Sequence, residues 1–289
     1  MENIEVRHER IKGDGVELHV ARAGEGPPAI LLHGFPENWR SWQRQIPALV
    51  RAGFSVWAPD LRGYNLSDIP PGREAYRLEH LVADVAALVH ASGASRAHIV
   101  GHDWGGIIAW SFAAAHPGLV DKLVILNAPH LDIYAEKARR FPQMLRSWYV
   151  LFFQIPWLPE KLLAANRYGA IRRMFRREPA RPNAFSREDI AHFVAAISKP
   201  GALTAGLDYY RANIGLGKLR RAPVKPIEAP TLVIWGERDP ALGVELLEGL
   251  ERVAPRVRVH RIPDASHWVQ NEAPGEVNRV LIDFLMETR

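Results

Sequence analysis

The chain has 289 residues, of which 47% are hydrophobic, and it carries a net charge of +5 with no cysteine. These values allow one large hydrophobic core or two small ones, exclude disulfide bonds and cysteine metal sites, and are compatible with the cytoplasm. The charged first residues predict no signal peptide, and the lack of an apolar run of about 18 residues predicts no membrane-spanning helix.

Strand-like and helix-like segments alternate along the chain. Residues Glu5 to Ala21 predict a β-hairpin, because Val16, Leu18 and Val20 alternate with polar residues after the turn sequence GDG. Short apolar runs then predict strands, in the order PAILLHG, FSVWAPD, AHIVGHD, DKLVILN, TLVIWGERD and RVRVHRIPD. Helical patterns lie between them, namely WQRQIPALVRAG, LEHLVADVAALVHASG and GGIIAWSFAAAHP. The alternation predicts an α/β fold with a mostly parallel central sheet flanked by helices.

The alternation stops between about Pro129 and Pro226, where the sequence is aromatic, punctuated by proline and helical in periodicity. We predict a core formed by residues 1–129 and 227–289, with a mainly helical cap, or lid, of residues 130–226 inserted after the sixth strand. Ligands of such sheets bind outside the carboxyl ends of the strands. A lid in that position would cover the site and exclude water.

Basic residues concentrate in the predicted lid, with 17 Lys and Arg against 7 Asp and Glu between residues 131 and 222. A basic stretch can indicate nucleic-acid binding, but no nucleic-acid-binding motif accompanies this one. The arginines fall in helical segments such as RYGAIRRMFRRE, where a solvated helix face is the commoner explanation. We therefore expect no nucleic-acid partner.

The stretch GHDWGG, Gly101 to Gly106, lies between the strand-like AHIV and the helix-like IIAWSFAAAHP. Its spacing matches a nucleophile elbow, in which small residues flank a nucleophile on a sharp turn between a strand and a helix. Asp103 occupies the nucleophile position. The alternative interpretation is a glycine-rich turn in which Asp103 only caps the helix.

The partners of such a nucleophile follow it along the chain, first an acid and then a histidine. Asp239 lies just past the strand-like TLVIWG, and His267 lies in the loop DASHW after the last predicted strand. Each residue alone is a weak signal, because the chain contains 12 histidines and many carboxylates. Together, in this order, Asp103, Asp239 and His267 predict a catalytic triad.

An oxyanion hole is predicted beside the triad. His33-Gly34-Phe35-Pro36 follows the strand-like PAILL, and a sharp turn at Gly34 would leave the Phe35 N–H free. The Trp104 N–H comes directly after the nucleophile. These two N–H groups are the predicted donors.

A carboxylate at the elbow predicts an electrophile with an sp³ carbon. A serine that attacked such a carbon would form an ether, which water does not readily cleave, whereas Asp103 would form an ester. A carboxylate has a reference pKa of about 3.9, so it is ionised at neutral pH without a base. Water activated by His267, itself oriented by Asp239, would then attack the ester. The two plausible substrate classes are epoxides and alkyl halides.

The leaving group distinguishes these two classes. An opening epoxide develops charge on an oxygen that stays attached, which suits phenol donors from the lid, whereas a halide suits weak N–H donors such as indoles. The candidate phenols are Tyr149, Tyr209 and Tyr210, although any one lid tyrosine can equally be a packing residue. The candidate indoles are Trp148 and Trp157.

The chain resembles an epoxide hydrolase of the α/β-hydrolase superfamily over essentially its whole length. The matching stretches are HGFPENWRSWQRQIPAL, DLRGYNLSD, GHDWGG, YVLFFQIPWLPE, LDYYRAN, GERDP and DASHW. The resemblance implies that Tyr149, which opens a Y-x-x-x-F-Q-x-P stretch, and Tyr210, which precedes an arginine, are the lid donors. The adjacent Tyr209 leaves the second position open.

The resemblance also implies a cis peptide bond before Pro36 and a substrate pocket lined by His33, Gly34, Pro36 and Trp104. It implies an enzyme that converts a small-molecule epoxide and water to a vicinal diol without a cofactor or a metal. We expect a monomer or a homodimer.

Two other functions remain open at this point. A haloalkane dehalogenase could use the same triad; many members of that family place Asn where this chain has Phe35, but others use a lid tryptophan. Fluoroacetate dehalogenases place Arg after the nucleophile, where this chain has Trp104. A ligand receptor without activity is disfavoured, because every catalytic position holds a competent residue.

Overall fold

The computed structural model describes residues 4–214 and 226–288, which form eight strands and eleven α-helices. The strands are β1 (Arg7–Lys12), β2 (Glu17–Ala23), β3 (Pro28–Leu32), β4 (Ser55–Pro59), β5 (Ala97–His102), β6 (Val120–Leu126), β7 (Thr231–Gly236) and β8 (Val257–Ile262). The helices are α1 (Ile46–Arg51), α2 (Leu78–Ala91), α3 (Trp104–Ala115), α4 (Leu131–Lys137), α5 (Gln143–Arg146), α6 (Trp148–Phe153), α7 (Leu158–Arg177), α8 (Arg187–Ile197), α9 (Ala202–Asn213), α10 (Val269–Glu272) and α11 (Pro274–Met286).

The eight strands of the described residues form one sheet in the order β1-β2-β4-β3-β5-β6-β7-β8. Strand β2 pairs antiparallel with β1, as the predicted hairpin, and antiparallel with β4. All other neighbours are parallel. Parallel neighbours need crossover connections, which helices supply. The predicted mostly parallel sheet is confirmed.

The central strands are mostly apolar because each strand supplies two core layers. In β3, Ile30 and Leu32 belong to one hydrophobic cluster, whereas Ala29 and Leu31 belong to a second one. Alternate side chains of a strand point to opposite faces, so the two clusters lie on opposite faces of the sheet. Covering both faces removes the polar positions that a half-exposed strand would show.

Helices cover these two layers. The buried side chains of α2 and α3 belong to the first cluster, and those of α1 and α11 belong to the second. The sequence WQRQIPALVRAG suggested one longer helix at α1. The structure instead has a short 3₁₀-helix over Trp39–Trp42, and α1 begins at Ile46, with Pro47 in its first turn. Proline is tolerated there because first-turn N–H groups have no partner within the helix.

Helices α4 to α9 lie between β6 and β7, and we call them the helical insert. This arrangement confirms the predicted fold class, in which helices follow the sixth strand. The predicted boundaries at residues 129/130 and 226/227 stay a prediction, and residues 215–225 of the predicted lid lie outside the described residues.

Within residues 4–214 and 226–288, no single helix is long and apolar enough to cross a bilayer. Helices α8 and α9 meet the criterion only when taken together, and they are bent at 78° to each other.

Candidate active site

Asp103 sits on a sharp turn between β5 and α3. Its backbone has φ 51° and ψ −121°, a conformation that L-residues other than glycine seldom adopt. Its side chain makes no capping hydrogen bond to α3. This geometry matches the strained turn that lifts a nucleophile out of the sheet, and it argues against a role for Asp103 as a simple helix cap.

The glycines around Asp103 allow the strand and helix to approach closely. A Cβ atom on Gly101 would lie 2.3 Å from the Gly105 carbonyl oxygen, and one on Gly105 would lie 2.1 Å from the Leu32 carbonyl oxygen. A Cβ atom on Gly106 would lie 2.3 Å from the Cβ of Ala128. Two of these contacts are with backbone, which cannot rotate away.

Substitution of Gly105 by Ala is expected to lower the free energy of unfolding by about 1–3 kcal/mol or more, because overpacking against backbone forces the elbow to shift. Gly118 is the matched control, since a Cβ atom there meets nothing within 4 Å. Gly118→Ala should stay within about 0.5 kcal/mol of the parent. Urea denaturation of both variants measures the difference, and equal stabilities would contradict this account of the turn.

The three predicted triad residues lie together at the carboxyl edge of the sheet. His267 Nδ1 lies 2.7 Å from Asp239 Oδ2, and its Nε2 lies 3.7 Å from Asp103 Oδ2. The carboxylate can only accept, so Nδ1 carries the proton that it donates to Asp239. In the neutral ring, Nε2 is then the basic nitrogen, and it faces the nucleophile.

The Asp239 carboxylate is buried and fully hydrogen-bonded. Its Oδ1 accepts from the backbone N–H groups of Ala241 and Leu242, at 2.8 and 2.9 Å, and its Oδ2 accepts from Asn127 Nδ2 at 2.8 Å. Asn127 Oδ1 in turn accepts from the Gly236 N–H. The sequence analysis missed Asn127. Its signal was an amide side chain directly after the strand-like DKLVIL, at the edge where ligands bind.

The charges in the triad shift both partner pKa values. Burial alone would lower the pKa of His267, but the charge and hydrogen bond of Asp239 outweigh it and, with smaller contributions from Asp103 and Glu37, raise it to about 9. Burial alone would raise the pKa of Asp239, but His267 and the hydrogen bonds from Leu242 and Asn127 keep it below its usual value. The resting site thus favours an imidazolium between two carboxylates.

This raised pKa predicts how stability depends on pH. The folded pKa of His267, about 9, exceeds the ordinary value of 6.5, so its stabilising contribution is fully present below about pH 6.5 and is lost as pH rises through about 9. We expect the unfolding free energy to fall across this window, and to fall less in His267→Gln. Urea titrations from about pH 6 to about pH 10 measure the two slopes. Parallel slopes would show that His267 has an ordinary pKa in the folded state.

The turn after β3 places a backbone donor on the Asp103 carboxylate. The Phe35 N–H donates to Asp103 Oδ1 at 2.8 Å, and the Phe35–Pro36 peptide bond is cis, as the resemblance implied. A Cβ atom on Gly34 would lie 2.4 Å from the Asp103 side chain, so only glycine lets the turn come this close. Trp104 is the first residue of α3. Its backbone N–H therefore has no acceptor within the helix, as is usual for the first turn.

His33 supports this turn through hydrogen bonds and does not line the cavity that contains Asp103. Its Nδ1 donates to the Gly34 carbonyl oxygen at 2.9 Å, and its Nε2 accepts from the Leu61 N–H at 3.0 Å. The two bonds fix a neutral tautomer, and burial lowers the pKa of His33. The structure therefore gives His33 a supporting position, whereas the resemblance implied a place in the pocket wall.

A second buried histidine holds the loop that carries His267. His102 Nε2 lies 2.9 Å from the His267 carbonyl oxygen, and its Nδ1 lies 3.1 Å from Glu37 Oε2. A carbonyl oxygen only accepts, so Nε2 carries a proton, and a further proton lies between Nδ1 and the carboxyl group. Ser41 donates to the other Glu37 oxygen at 2.6 Å. Sequence analysis did not single out His102 or Glu37 as a pair.

The three candidate lid tyrosines occupy different surroundings. Tyr149, on α6, and Tyr210, on α9, line a cavity with Asp103, and their ring centroids are 6.0 Å apart. Tyr209 is buried outside this cavity, where its hydroxyl donates to the Arg62 carbonyl oxygen at 2.8 Å. Of the adjacent pair, Tyr210 is the one that reaches the cavity with Asp103.

Burial keeps these cavity phenols protonated. It raises the pKa of Tyr149 and of Tyr210 well above 10, and the negative charge of Asp103 raises both further. The hydrogen bond from the Trp104 side chain to Tyr210 acts in the opposite direction. Both hydroxyls therefore remain donors at neutral pH.

The main cavity has a volume of about 360 Å³ and runs between the helical insert and the sheet edge. Its wall is mostly apolar and includes Phe35, Trp148, Phe153, Met174 and Trp268, together with Asp103, Tyr149, Tyr210 and His267. A smaller pocket of about 20 Å³ shares Asp103, Tyr149 and Tyr210 with the main cavity and adds Trp104 to the wall. These three shared side chains thus lie at the junction of the two spaces.

Comparison with known proteins assigns the chain to a family. A family model for the alpha/beta hydrolase fold matches residues 27–274. Human epoxide hydrolase 4 is 36% identical over 96% of this chain and 78% of its own length. The crystal structure of an epoxide hydrolase from Bacillus megaterium in complex with an inhibitor has a TM-score of 0.88 and 31% identity, over 96% of this chain and 100% of the other. The chain belongs to the epoxide hydrolase family. It is also 39% identical to the AB hydrolase superfamily protein YfhM of Bacillus subtilis, over 97% and 98% of the two chains.

The lid indoles of Trp148 and Trp157 left a haloalkane dehalogenase function possible. They do not surround Asp103 in this member of the epoxide hydrolase family. Trp148 lies in the outer wall of the main cavity and is 65% exposed, and Trp157 does not line it. The groups that share the junction with Asp103 are phenols. The junction therefore offers two O–H donors, and the Trp104 indole in the smaller pocket is hydrogen-bonded to Tyr210.

Proposed function

We propose that this enzyme, a hydrolase acting on ether bonds, converts epoxides and water to vicinal diols through an alkyl ester on Asp103. The observation that supports this most directly is the pairing of a carboxylate nucleophile with two neutral phenols in one cavity. Carboxylate attack requires an sp³ electrophile, and paired O–H donors suit an oxygen that stays on the product.

In the first step, Asp103 Oδ2 attacks one ring carbon and the bond from that carbon to the epoxide oxygen breaks. The Phe35 N–H holds Oδ1, which leaves Oδ2 free to react. Tyr149 and Tyr210 hydrogen-bond the developing alkoxide, and one of them supplies its proton. Oriented donors of this kind act without reorganisation at the moment of reaction.

In the second step, water attacks the Asp103 carboxyl carbon and His267 Nε2 takes its proton. Formation of the ester removes the Asp103 charge, which lowers the pKa of His267 because that charge contributes to raising it. The imidazolium therefore returns its Nε2 proton to the phenoxide left by the first step, which restores the phenol and leaves His267 as a neutral base. The oxyanion is stabilised by the N–H groups of Phe35 and Trp104. Its collapse breaks the bond to the diol oxygen, which takes the remaining proton of the attacking water, so that Asp103 regains its charge and His267 keeps the proton of the resting site.

A paired turnover assay tests this function against the haloalkane dehalogenase alternative. Purified protein is given a panel of aryl and alkyl epoxides with diol detection, and bromoalkanes of matched size with bromide detection. We expect diol and no bromide. Bromide without diol would overturn the proposal and assign the leaving-group contacts to Trp104 and Trp148.

A further inference from the structure

The outer surface of the helical insert is unusually apolar. Eleven large apolar side chains are exposed in the described residues, and eight of them fall between Phe141 and Leu162. Among them, Phe141 is 71% exposed, Trp148 65% and Leu151 63%. We call these eight exposed side chains the apolar face. Single exposed apolar residues are ordinary, but a concentration of this kind marks an interaction site.

Two of these residues lie on one side of α6. Trp148 and Leu151 are three residues apart, the spacing of neighbours on a helix surface, and Leu145 precedes them on α5. Of the eight side chains in the apolar face, Trp148 alone also lines the active-site cavity. The other seven are exposed and have no place in that cavity wall.

Basic side chains accompany the apolar face along the helical insert. Residues 139–177 contain nine Arg and Lys and a single acidic residue, Glu160, which forms an ion pair with Arg211 at 2.6 Å. Two of the nine have acidic partners from outside this range, since Arg140 lies 3.9 Å from Glu136 and Arg146 lies 3.6 Å from Glu245. No ion pair is found among the described residues for Arg173, Arg176 or Arg177 on α7, all of which are exposed. The insert therefore combines exposed apolar side chains with an excess of positive charge.

We propose that the apolar face docks the enzyme peripherally on an anionic lipid surface. Aromatic and aliphatic side chains with flanking Lys and Arg are the composition that binds the interface of an anionic bilayer. The other plausible occupant is a second copy of this chain. A symmetric dimer through this face would bring two uncompensated basic surfaces together, which disfavours that occupant.

The position of Trp148 links the apolar face to the active site. The Trp148 side chain forms part of the cavity wall and is also 65% exposed within the apolar face. The cavity therefore meets the surface where the lipid would lie. A lipophilic epoxide dissolved in the bilayer could enter the cavity without crossing bulk water. This route rests on the proposed function, whereas the docking of the apolar face on lipid does not depend on it.

Vesicle flotation of the full chain tests the docking. Vesicles of phosphatidylcholine with about one-third phosphatidylglycerol are compared with vesicles of phosphatidylcholine alone, at low and high salt. We expect binding to the anionic vesicles, weakened by salt and by the loss of anionic lipid. The double variant Leu145→Ser/Leu151→Ser should bind at least about tenfold more weakly, since two leucines no longer leave water. The emission of Trp148 and Trp157 should be quenched by brominated acyl chains.

Met286 supplies the matched control, because it is an exposed apolar side chain outside the apolar face. It lies at the end of α11, where the Lys122 ammonium, at the amino edge of the sheet, donates hydrogen bonds to the preceding backbone carbonyl groups. Met286→Ser should bind vesicles like the parent. Failure of the parent to bind anionic vesicles would overturn the proposal, as would equal losses in the two variants. Self-association that disappears in the double variant, without lipid binding, would assign the face to a second copy. Diol formation from a water-soluble epoxide is measured in parallel, so failure of docking and failure of the proposed function are separable.

Discussion

His267→Gln is expected to form the ester on Asp103 and to stop there. Glutamine cannot take a proton from water, whereas attack by Asp103 needs no base, so the first step survives and the second does not. Steady-state turnover should fall by about 10⁴-fold or more. Intact-mass measurement after incubation with an epoxide that the parent hydrolyses should show one added substrate mass, located on the peptide that contains Asp103.

His192→Gln is the matched control for this substitution, because His192 lies on the exposed surface of α8 and pairs with Glu188. It should retain parental turnover and accumulate no adduct. An inactive His267→Gln protein that remains folded but carries no adduct would rule out the two-step mechanism. Adduct on a residue other than Asp103 would reassign the nucleophile.

Loss of either cavity phenol is expected to slow ester formation. Tyr149→Phe and Tyr210→Phe each remove one donor from the developing alkoxide, and loss of one such donor typically reduces the rate by about 10²–10³-fold. The double variant should lose more than either single variant. Single-turnover kinetics isolates this step, because hydrolysis of the ester on Asp103 does not involve the phenols as donors to the oxyanion.

Tyr209→Phe separates this chemical role from ordinary packing. Its hydroxyl is hydrogen-bonded to the Arg62 carbonyl oxygen and lies outside the cavity. The variant should lose about 1 kcal/mol of unfolding free energy while keeping the rate of ester formation. Slow chemistry in Tyr209→Phe, with parental rates in Tyr210→Phe, would mean that the adjacent tyrosines exchange roles when substrate binds.

Much of the fold, and the expectation that Asp103, Asp239 and His267 meet at one edge of the sheet, followed from local sequence. The central strands are short apolar runs, and Asp103, Asp239 and His267 each come just after a strand. Carboxyl ends of parallel strands share one edge of a sheet, so residues far apart in sequence were expected to meet there. The glycine spacing around Asp103 also carried information, because close backbone approach permits few other residues.

The parts that sequence did not reveal depend on contacts between distant segments. His33 was expected in the pocket, but its ring turns under the loop to bond Leu61. The pairing of His102 with Glu37 joins the elbow to the turn after β3 through buried side chains with no shared motif. The choice between Tyr209 and Tyr210 depended on the rotation of α9, which follows from packing against Arg62 and the cavity and not from the helical pattern alone.

The position of Asn127 has a consequence for how this enzyme can change. Asn127 is the residue after β6, so the amide that holds Asp239 belongs to the sheet and precedes the helical insert. Substitutions at cavity-lining positions of the insert other than Tyr149 and Tyr210 can therefore change the cavity walls while Asn127 still holds Asp239. We expect libraries confined to those positions to diversify the accepted epoxides without moving the three residues at the sheet edge.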